Sequence, residues 1–252
     1  MENSGRQTSE NIWVFIPAYN SAATLEATLR DLPAELTKVV VVDDGSSDET
    51  SRIAKANNVN LITHEKNKGY GASQKSGYKF ALDNGADVVI MLHADYQYDS
   101  RVALIMAELI LLGNCDLVLG NRIRTRREAL DGGMPVWRYL INRLSTIFEN
   151  VLLGQNLGDF HSGLRAYSAK ALNQIRFESN SDNFAFDQEL LVQACALGLR
   201  IGDIPIPVRY GDDSSSISII QTIRYGNGAL KILSLYMLHK LKIVRNSRFS
   251  SK

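Results

Sequence analysis

Short, β-branched apolar runs that stop at a polar turn and give way to helical sequence recur along the first half of this chain. That alternation limits the available folds more than any other feature. Ile12-Trp13-Val14-Phe15-Ile16 stops at Pro17, and Lys38-Val39-Val40-Val41-Val42 stops at Asp43-Asp44-Gly45-Ser46-Ser47. Further strands are expected over 59–63, 87–92 and 116–119, with helices over 22–32, from Asp48, over 71–84 and over 101–112. Continuous apolar strands are buried on both faces, so the expectation is an α/β fold, a Rossmann-like, mostly parallel sheet flanked by helices. Ligands of such sheets bind beyond the carboxyl ends of the strands, so the loops at Pro17, Asp43 and His93 are expected to converge on one crevice.

Beyond residue 120 the pattern changes. Arg122 to Arg138 is rich in Arg and Gly, with Gly132-Gly133-Met134-Pro135 at its centre, and is expected to be a mobile cationic loop. A helix to about Leu153, a helix over 187–197 and a strand over 201–208 follow. The predicted organisation is a flexible N-terminus (1–11), a single domain (12–213) with a nucleotide-binding half (12–120) and an acceptor half (121–213), and a basic tail (214–252).

With 28 Lys and Arg against 27 Asp and Glu, the net charge is +1, which gives no bulk signature of a nucleic-acid partner. The charge is unevenly placed. The tail holds seven cations (Arg224, Lys231, Lys240, Lys242, Arg245, Arg248 and Lys252) and no acid. Its Leu230, Leu233, Met237, Leu241 and Val244 recur at helical spacing, with Ile232, Leu235 and Tyr236 widening the stripe. Such a C-terminal amphipathic helix either docks on the body or a homo-oligomer partner, or lies on an anionic membrane surface. Cys115 and Cys195 read as buried thiols, and the polar N-terminus and the lack of an ~18-residue apolar run point to a cytoplasmic protein, soluble or peripheral at the inner face of the membrane.

Asp43-Asp44 at one strand end, and Asp95 with His93 or Gln97 at another, bring hard oxygen ligands to the same crevice. Carboxylate and amide oxygens suit Mg²⁺ or Mn²⁺ held jointly with a diphosphate. Asp43, Ser46 and Asp48 equally suit turn and helix-cap chemistry.

Together these segments resemble the family-2 glycosyltransferases of the GT-A fold. The similar subgroup is that of dolichyl-phosphate mannose or glucose synthases and bacterial polyprenyl-phosphate glycosyltransferases. The resemblance runs from Val14 to about Ile217 through Phe15-Ile16-Pro17-Ala18-Tyr19-Asn20, Val41-Val42-Asp43-Asp44-Gly45-Ser46, Asn67-Lys68-Gly69-Tyr70-Gly71-Ala72, Ala94-Asp95-Tyr96-Gln97, Gly120-Asn121-Arg122, Ser162-Gly163-Leu164-Arg165-Ala166-Tyr167 and Ile204-Pro205-Ile206-Pro207. It implies that Pro17, Ala18, Tyr19 and Asn20 shape a base pocket, with Asp43 or Asp44 accepting from base or ribose. Lys68-Gly69 would let backbone approach the nucleotide, with His93 and Ala94 beside it. Asp95 and Gln97 would hold the metal. Where the family often has Asp-x-Asp this chain has His93-Ala94-Asp95, which removes one carboxylate.

The implied reaction is inverting transfer of a hexose from a UDP-sugar or GDP-sugar. Negative charge on the departing diphosphate would be stabilised by the divalent ion and by Arg122, Arg165 and Arg209, with Arg126 or Arg127 closing from the loop. A polyprenyl phosphate acceptor arrives ionised, whereas a saccharide hydroxyl needs a base, for which Asp187 or Glu189 is placed. His161 would orient either acceptor, unless it serves as a loop histidine with a structural hydrogen bond, the reading its position favours. The arginines and the cationic tail favour the phosphate. The alternatives are another glycan acceptor, or a sugar-nucleotide binding protein without catalysis, motivated by His93. A nucleotidyltransferase lacks support, because no Gly-rich loop follows the first strand.

Overall fold

The computed structural model describes residues 11–123, 125–131, 133–207 and 219–252. Among them, β1 (Ile12–Ala18), β2 (Lys38–Asp43), β3 (Asn60–Thr63), β4 (Val88–Met91), β5 (Leu117–Asn121), β6 (Arg165–Ser168) and β7 (Ile201–Pro205) form one sheet in the order β3-β2-β1-β4-β6-β5-β7. β6 is antiparallel to β4 and β5, and the other pairs are parallel. The helices are α1 (Leu25–Arg30), α2 (Thr50–Ala56), α3 (Tyr70–Asp83), α4 (Ala103–Leu111), α5 (Arg126–Asp131), α6 (Val136–Leu153), α7 (Ala169–Gln174), α8 (Phe186–Ala196) and α9 (Ile219–Lys240).

The two-residue period of each strand divides its side chains between two cores. Trp13, Phe15, Val40, Val42, Val89 and Met91 pack under α3 and α8, alongside Tyr78 and Leu190. Val14, Ile16, Val39, Val41, Val88 and Ile90 pack under α1, α2 and α4, alongside Leu25, Ala54 and Met106. α3 lies close to the sheet because Gly77 has no side chain: a Cβ there would come within 2.3 Å of the Phe15 ring.

Two features differ from the sequence reading, and a third decides between alternatives it left open. β6 was not anticipated, since a four-residue strand that opens on an arginine shows no apolar run; it pairs Arg165 with Met91 and so returns the 162–165 loop to the carboxyl end of β4. The stretch expected to be a mobile loop holds α5 and the start of α6, with Met134 and Ala129 buried in a small cluster of their own. In the tail, Ala229, Ile232, Leu233 and Tyr236 are buried, and Tyr236 stacks edge-to-face on Phe249, so this helix docks on the body. Leu230, Leu241 and Val244 of the same expected stripe remain exposed. No helix among the described residues is long and apolar enough to cross a membrane. Residues 1–10, the end of the expected strand at Val208, and Arg209 lie outside the described residues.

Candidate active site

The parallel strands β1, β2 and β4 end on the same edge, with β2 on one side of β1 and β4 on the other. This is the topological switch point at which α/β sheets bind ligands. The loops there are tied to one another. The Asn20 backbone N–H donates to Ser46 Oγ (2.9 Å), and the Asn20 side-chain oxygen accepts from the Ser47 N–H (2.9 Å). Asn20 adopts a left-handed backbone, φ 49°, and the neighbouring Tyr19 is 52% exposed, available for stacking.

Asp43 and Asp44 are buried. Asp43 accepts from the Ser46 N–H (2.9 Å) and is hydrogen-bonded to Ser51 Oγ. Asp44 accepts from the backbone N–H groups of Lys68 (2.9 Å) and Gly69 (2.8 Å) and sits 2.6 Å from His64 Nδ1. Its carboxylate therefore anchors the Lys68-Gly69 turn. Gly69 has φ +105°, and a Cβ there would lie 2.3 Å from the Asp182 carbonyl oxygen, so only glycine fits. Pro17, Ala18, Tyr19, Asn20, Asp43, Asp44, Lys68 and Gly69 thus share one rim of the sheet.

Beside this rim lies a cavity of about 540 Å³, to which His93, Asp95, Gln97, Arg122, Arg165 and Asp187 all contribute. Asp95 accepts from the Gln97 N–H (3.1 Å) across Tyr96, which has φ +53°, and this tight turn puts both side chains on the cavity wall. His93 is wedged edge-to-face between Tyr70 and Tyr98, with Nε2 2.8 Å from the Tyr70 hydroxyl. Since Tyr70 donates to Asp187 (3.0 Å), the assigned arrangement has His93 donating from Nε2. Burial, then the Asp187 charge, hold the Tyr70 hydroxyl well above its usual range, so it stays protonated. Gly163 makes room for His93: a Cβ would meet Nε2 at 2.3 Å. No cluster of three or more His, Cys, Asp or Glu suited to holding a metal alone occurs among the described residues. One carboxylate and one amide fit a Mg²⁺ or Mn²⁺ whose remaining ligands are water and substrate phosphate.

The cations differ in how they are engaged. Arg122 pairs with buried Asp159 (Nε to Oδ2, 2.7 Å) while facing the cavity. Burial alone would raise the Asp159 carboxyl, but the charge and hydrogen bonding of Arg122, with His161 and Asn142, hold it well below the usual range. Arg165 is 1% exposed and donates to the carbonyls of Ser162 (2.8 Å), Asp187 (3.1 Å) and Phe160 (3.0 Å). It braces the walls and adds charge to the site. Arg127 lies on α5 next to Asp131, and neither it nor Arg126 lines the cavity.

Asp187 and Glu189 separate. Two residues along a helix are roughly 200° apart, so both cannot face one site. Asp187 lines the cavity and accepts from Gln74 (2.7 Å) and Tyr70. Glu189 faces away, accepting from Ser181 Oγ (2.8 Å) and lying 3.5 Å from Arg248, so it ties the 181 loop and the C-terminus together.

The sequence reading did not single out α6, which closes the cavity. The helix is turned inside out. Its buried positions include Asn142, Thr146 and Glu149, whereas Trp137, Leu140, Leu144, Ile147, Phe148 and Val151 are exposed, Leu144 at 68% and Val151 at 76%. Trp137, Ile141 and Phe148 also line the cavity, so its mouth opens through an apolar rim.

The glycosyl transferase family 2 model matches residues 13–176. The UDP-N-acetylglucosamine–dolichyl-phosphate N-acetylglucosaminyltransferase of Methanococcus voltae is 29% identical over 221 residues, covering 81% of this chain and 87% of that one. The undecaprenyl-phosphate mannosyltransferase of Micrococcus luteus is 30% identical over 207 residues, covering 77% and 82%. Glucosyl-3-phosphoglycerate synthase of Mycobacterium tuberculosis, solved with Mn²⁺, UDP and phosphoglyceric acid, superposes with a TM-score of 0.69 at 17% identity, covering 90% of this chain and 78% of that one. The chain belongs to glycosyl transferase family 2, and is a glycosyltransferase with the seven-stranded, mostly parallel α/β sheet of the GT-A fold.

Proposed function

We propose that this enzyme transfers a hexose, with inversion, from a UDP- or GDP-sugar to the phosphate of a polyprenyl (dolichyl-type) lipid at the inner face of a membrane. The observation that carries the reading is α6. An 18-residue helix that buries Asn142, Thr146 and Glu149 while exposing Trp137, Leu144 and Val151 reverses the pattern of a water-facing helix. It suits a helix whose outer face meets hydrocarbon. Because the apolar rim continues from that face into the cavity, a lipid chain has a path from the bilayer with its phosphate leading. Arg138 and Arg143 on α6 and the exposed tail lysines add attraction for anionic lipid. The two relatives named for dolichyl- and undecaprenyl-phosphate transfer support the same acceptor class.

The chemistry fits this acceptor. An ionised phosphate needs no general base, and both oxygens of Asp187 already accept hydrogen bonds from Gln74 and Tyr70. Asp187 then acts as an anchor. Arg122 faces the cavity to meet anionic substrate, and Arg165 contributes charge from behind the wall. Tyr19 stacks on the base, and the Lys68-Gly69 turn, fixed by Asp44, approaches the diphosphate. A Mg²⁺ or Mn²⁺ ion bound by Asp95 and Gln97 would offset charge on the leaving diphosphate.

Replacing two outward α6 residues, Leu144→Glu with Val151→Glu, tests the reading. Neither lines the cavity, so the thermal midpoint is expected to hold. Sedimentation with vesicles that contain anionic lipid, and transfer to long-chain polyprenyl phosphate in those vesicles, are expected to drop on the order of tenfold or more. Transfer to a short, water-soluble prenyl phosphate is expected to persist. A folded double variant with undiminished vesicle binding and transfer contradicts the reading.

A further inference from the structure

The inner face of α6 poses a problem that the catalytic groups do not solve. Glu149 is 2% exposed, and its Oε2 makes no hydrogen bond. A buried carboxyl oxygen without a partner is costly, of order 1–3 kcal/mol even when neutral, and it needs either a ligand or a reason. Glu149 is among the residues that line the cavity, with Arg122, Arg138 and Asn142. His161 lies beside it, with Nε2 3.5 Å from Oε2. His161 is itself fixed by donating its backbone N–H to Asp159 (2.9 Å), the carboxylate that holds Arg122.

We propose that Glu149 is the acceptor-recognition residue of this cavity, its carboxyl hydrogen-bonded to a non-attacking oxygen of the acceptor's phosphate while Arg122 meets its charge. The proposal rests on the reading of the acceptor as a lipid phosphate, and adds which side chain selects it. A neutral acid here supplies a donor without adding to the positive charge, on the same helix whose Trp137, Ile141 and Phe148 form the apolar rim. Both faces of α6 then serve one ligand: the outer face its hydrocarbon, the inner face its phosphate.

The surroundings maintain the proton. Burial, and next the negative charge of Asp159, push the Glu149 carboxyl up to about 8, against a smaller opposing effect of Arg165. His161, lowered to about 4 by burial, is neutral over the same range. From α8, Cys195 faces the same carboxyl and is also raised, to about 12, so it stays a thiol.

The test is the Michaelis constant for farnesyl phosphate in wild type, Glu149→Gln and Glu149→Ala across pH 6–9.5, with Trp137 fluorescence as a direct binding readout. Glu149→Gln keeps a donor, so an acceptor constant near wild type at pH 7 is expected, without the rise that wild type shows as the carboxyl ionises. Glu149→Ala is expected to raise the acceptor constant by about 10- to 100-fold and leave the donor constant unchanged. If wild type uses farnesyl phosphate but all three proteins share one acceptor constant and one pH profile, the role of Glu149 is overturned and the lipid-phosphate reading stands. If wild type neither binds nor glycosylates farnesyl phosphate, both fall together.

Discussion

Asp95 and Glu149 are two carboxyls on one cavity wall with opposite tasks, and each sets a prediction. Asp95→Ala removes the carboxylate of the proposed divalent-ion site; transfer is expected to fall on the order of 100-fold or more, with the thermal midpoint retained, as labelled product in a metal-supplemented assay will show. Burial, then the Asp159 charge, raise Glu149 from the ordinary glutamate value of 4.5 to about 8, so between those values the folded protein binds more protons than the unfolded chain. The stability it contributes is full below about 4.5 and is lost as pH rises through about 8. Glu149→Gln is therefore expected to flatten the decline in thermal midpoint from pH 5 to 9, and to be the more stable protein at the alkaline end. A parallel decline in both proteins would show that Glu149 is not the titrating group. Legibility differed at this scale. Asp95, Gln97, Arg122 and Asp187 were readable as polar residues at strand or helix ends, and the structure brings all four to one cavity. Glu149 was not readable, because a single acid in a helix is ordinary until its burial is known. Glu189 was misplaced because the sequence does not say which side of α8 faces in.

At the scale of elements, α9 and α6 turn their apolar stripes to different surroundings. Both carry helical stripes, but the stripe of α9 partly covers the body through Ile232, Leu233 and Tyr236, whereas that of α6 faces outward. Periodicity reveals that a helix has two faces; only the tertiary arrangement reveals which one meets water. Deleting residues after Ile219 is accordingly expected to destabilise the fold, by about 5 kcal/mol or more through loss of Ile232, Leu233, Tyr236 and Phe249 from the core, and to lower the thermal midpoint before any change in vesicle binding can be read. A truncated protein with an unchanged midpoint would contradict the docking of α9. β6 shows the other limit of sequence reading. Its Arg165 is buried because three backbone carbonyls accept from its guanidinium, a solution that no local pattern announces.

For the whole molecule, the strand–helix alternation was enough to specify the parallel core, since β1, β2 and β4 are apolar on both faces and close on turns at the same edge. The acceptor side was less legible, because it is assembled from the loop after β4, the antiparallel return of β6, the inner face of α6 and the start of α9, which are distant in sequence. That assembly joins a polar, arginine-bearing cavity to an apolar outer face, and the proposal of a lipid-phosphate acceptor rests on that join. The most direct measurement is transfer of labelled sugar from a panel of UDP- and GDP-sugars to a short polyprenyl phosphate and, in parallel, to saccharide hydroxyl acceptors, with Mg²⁺, Mn²⁺ or chelator present. Metal-dependent formation of a lipid-phosphate sugar, absent with Asp95→Ala, is the expected result. Transfer to a saccharide hydroxyl with none to the lipid phosphate would contradict the proposed reaction.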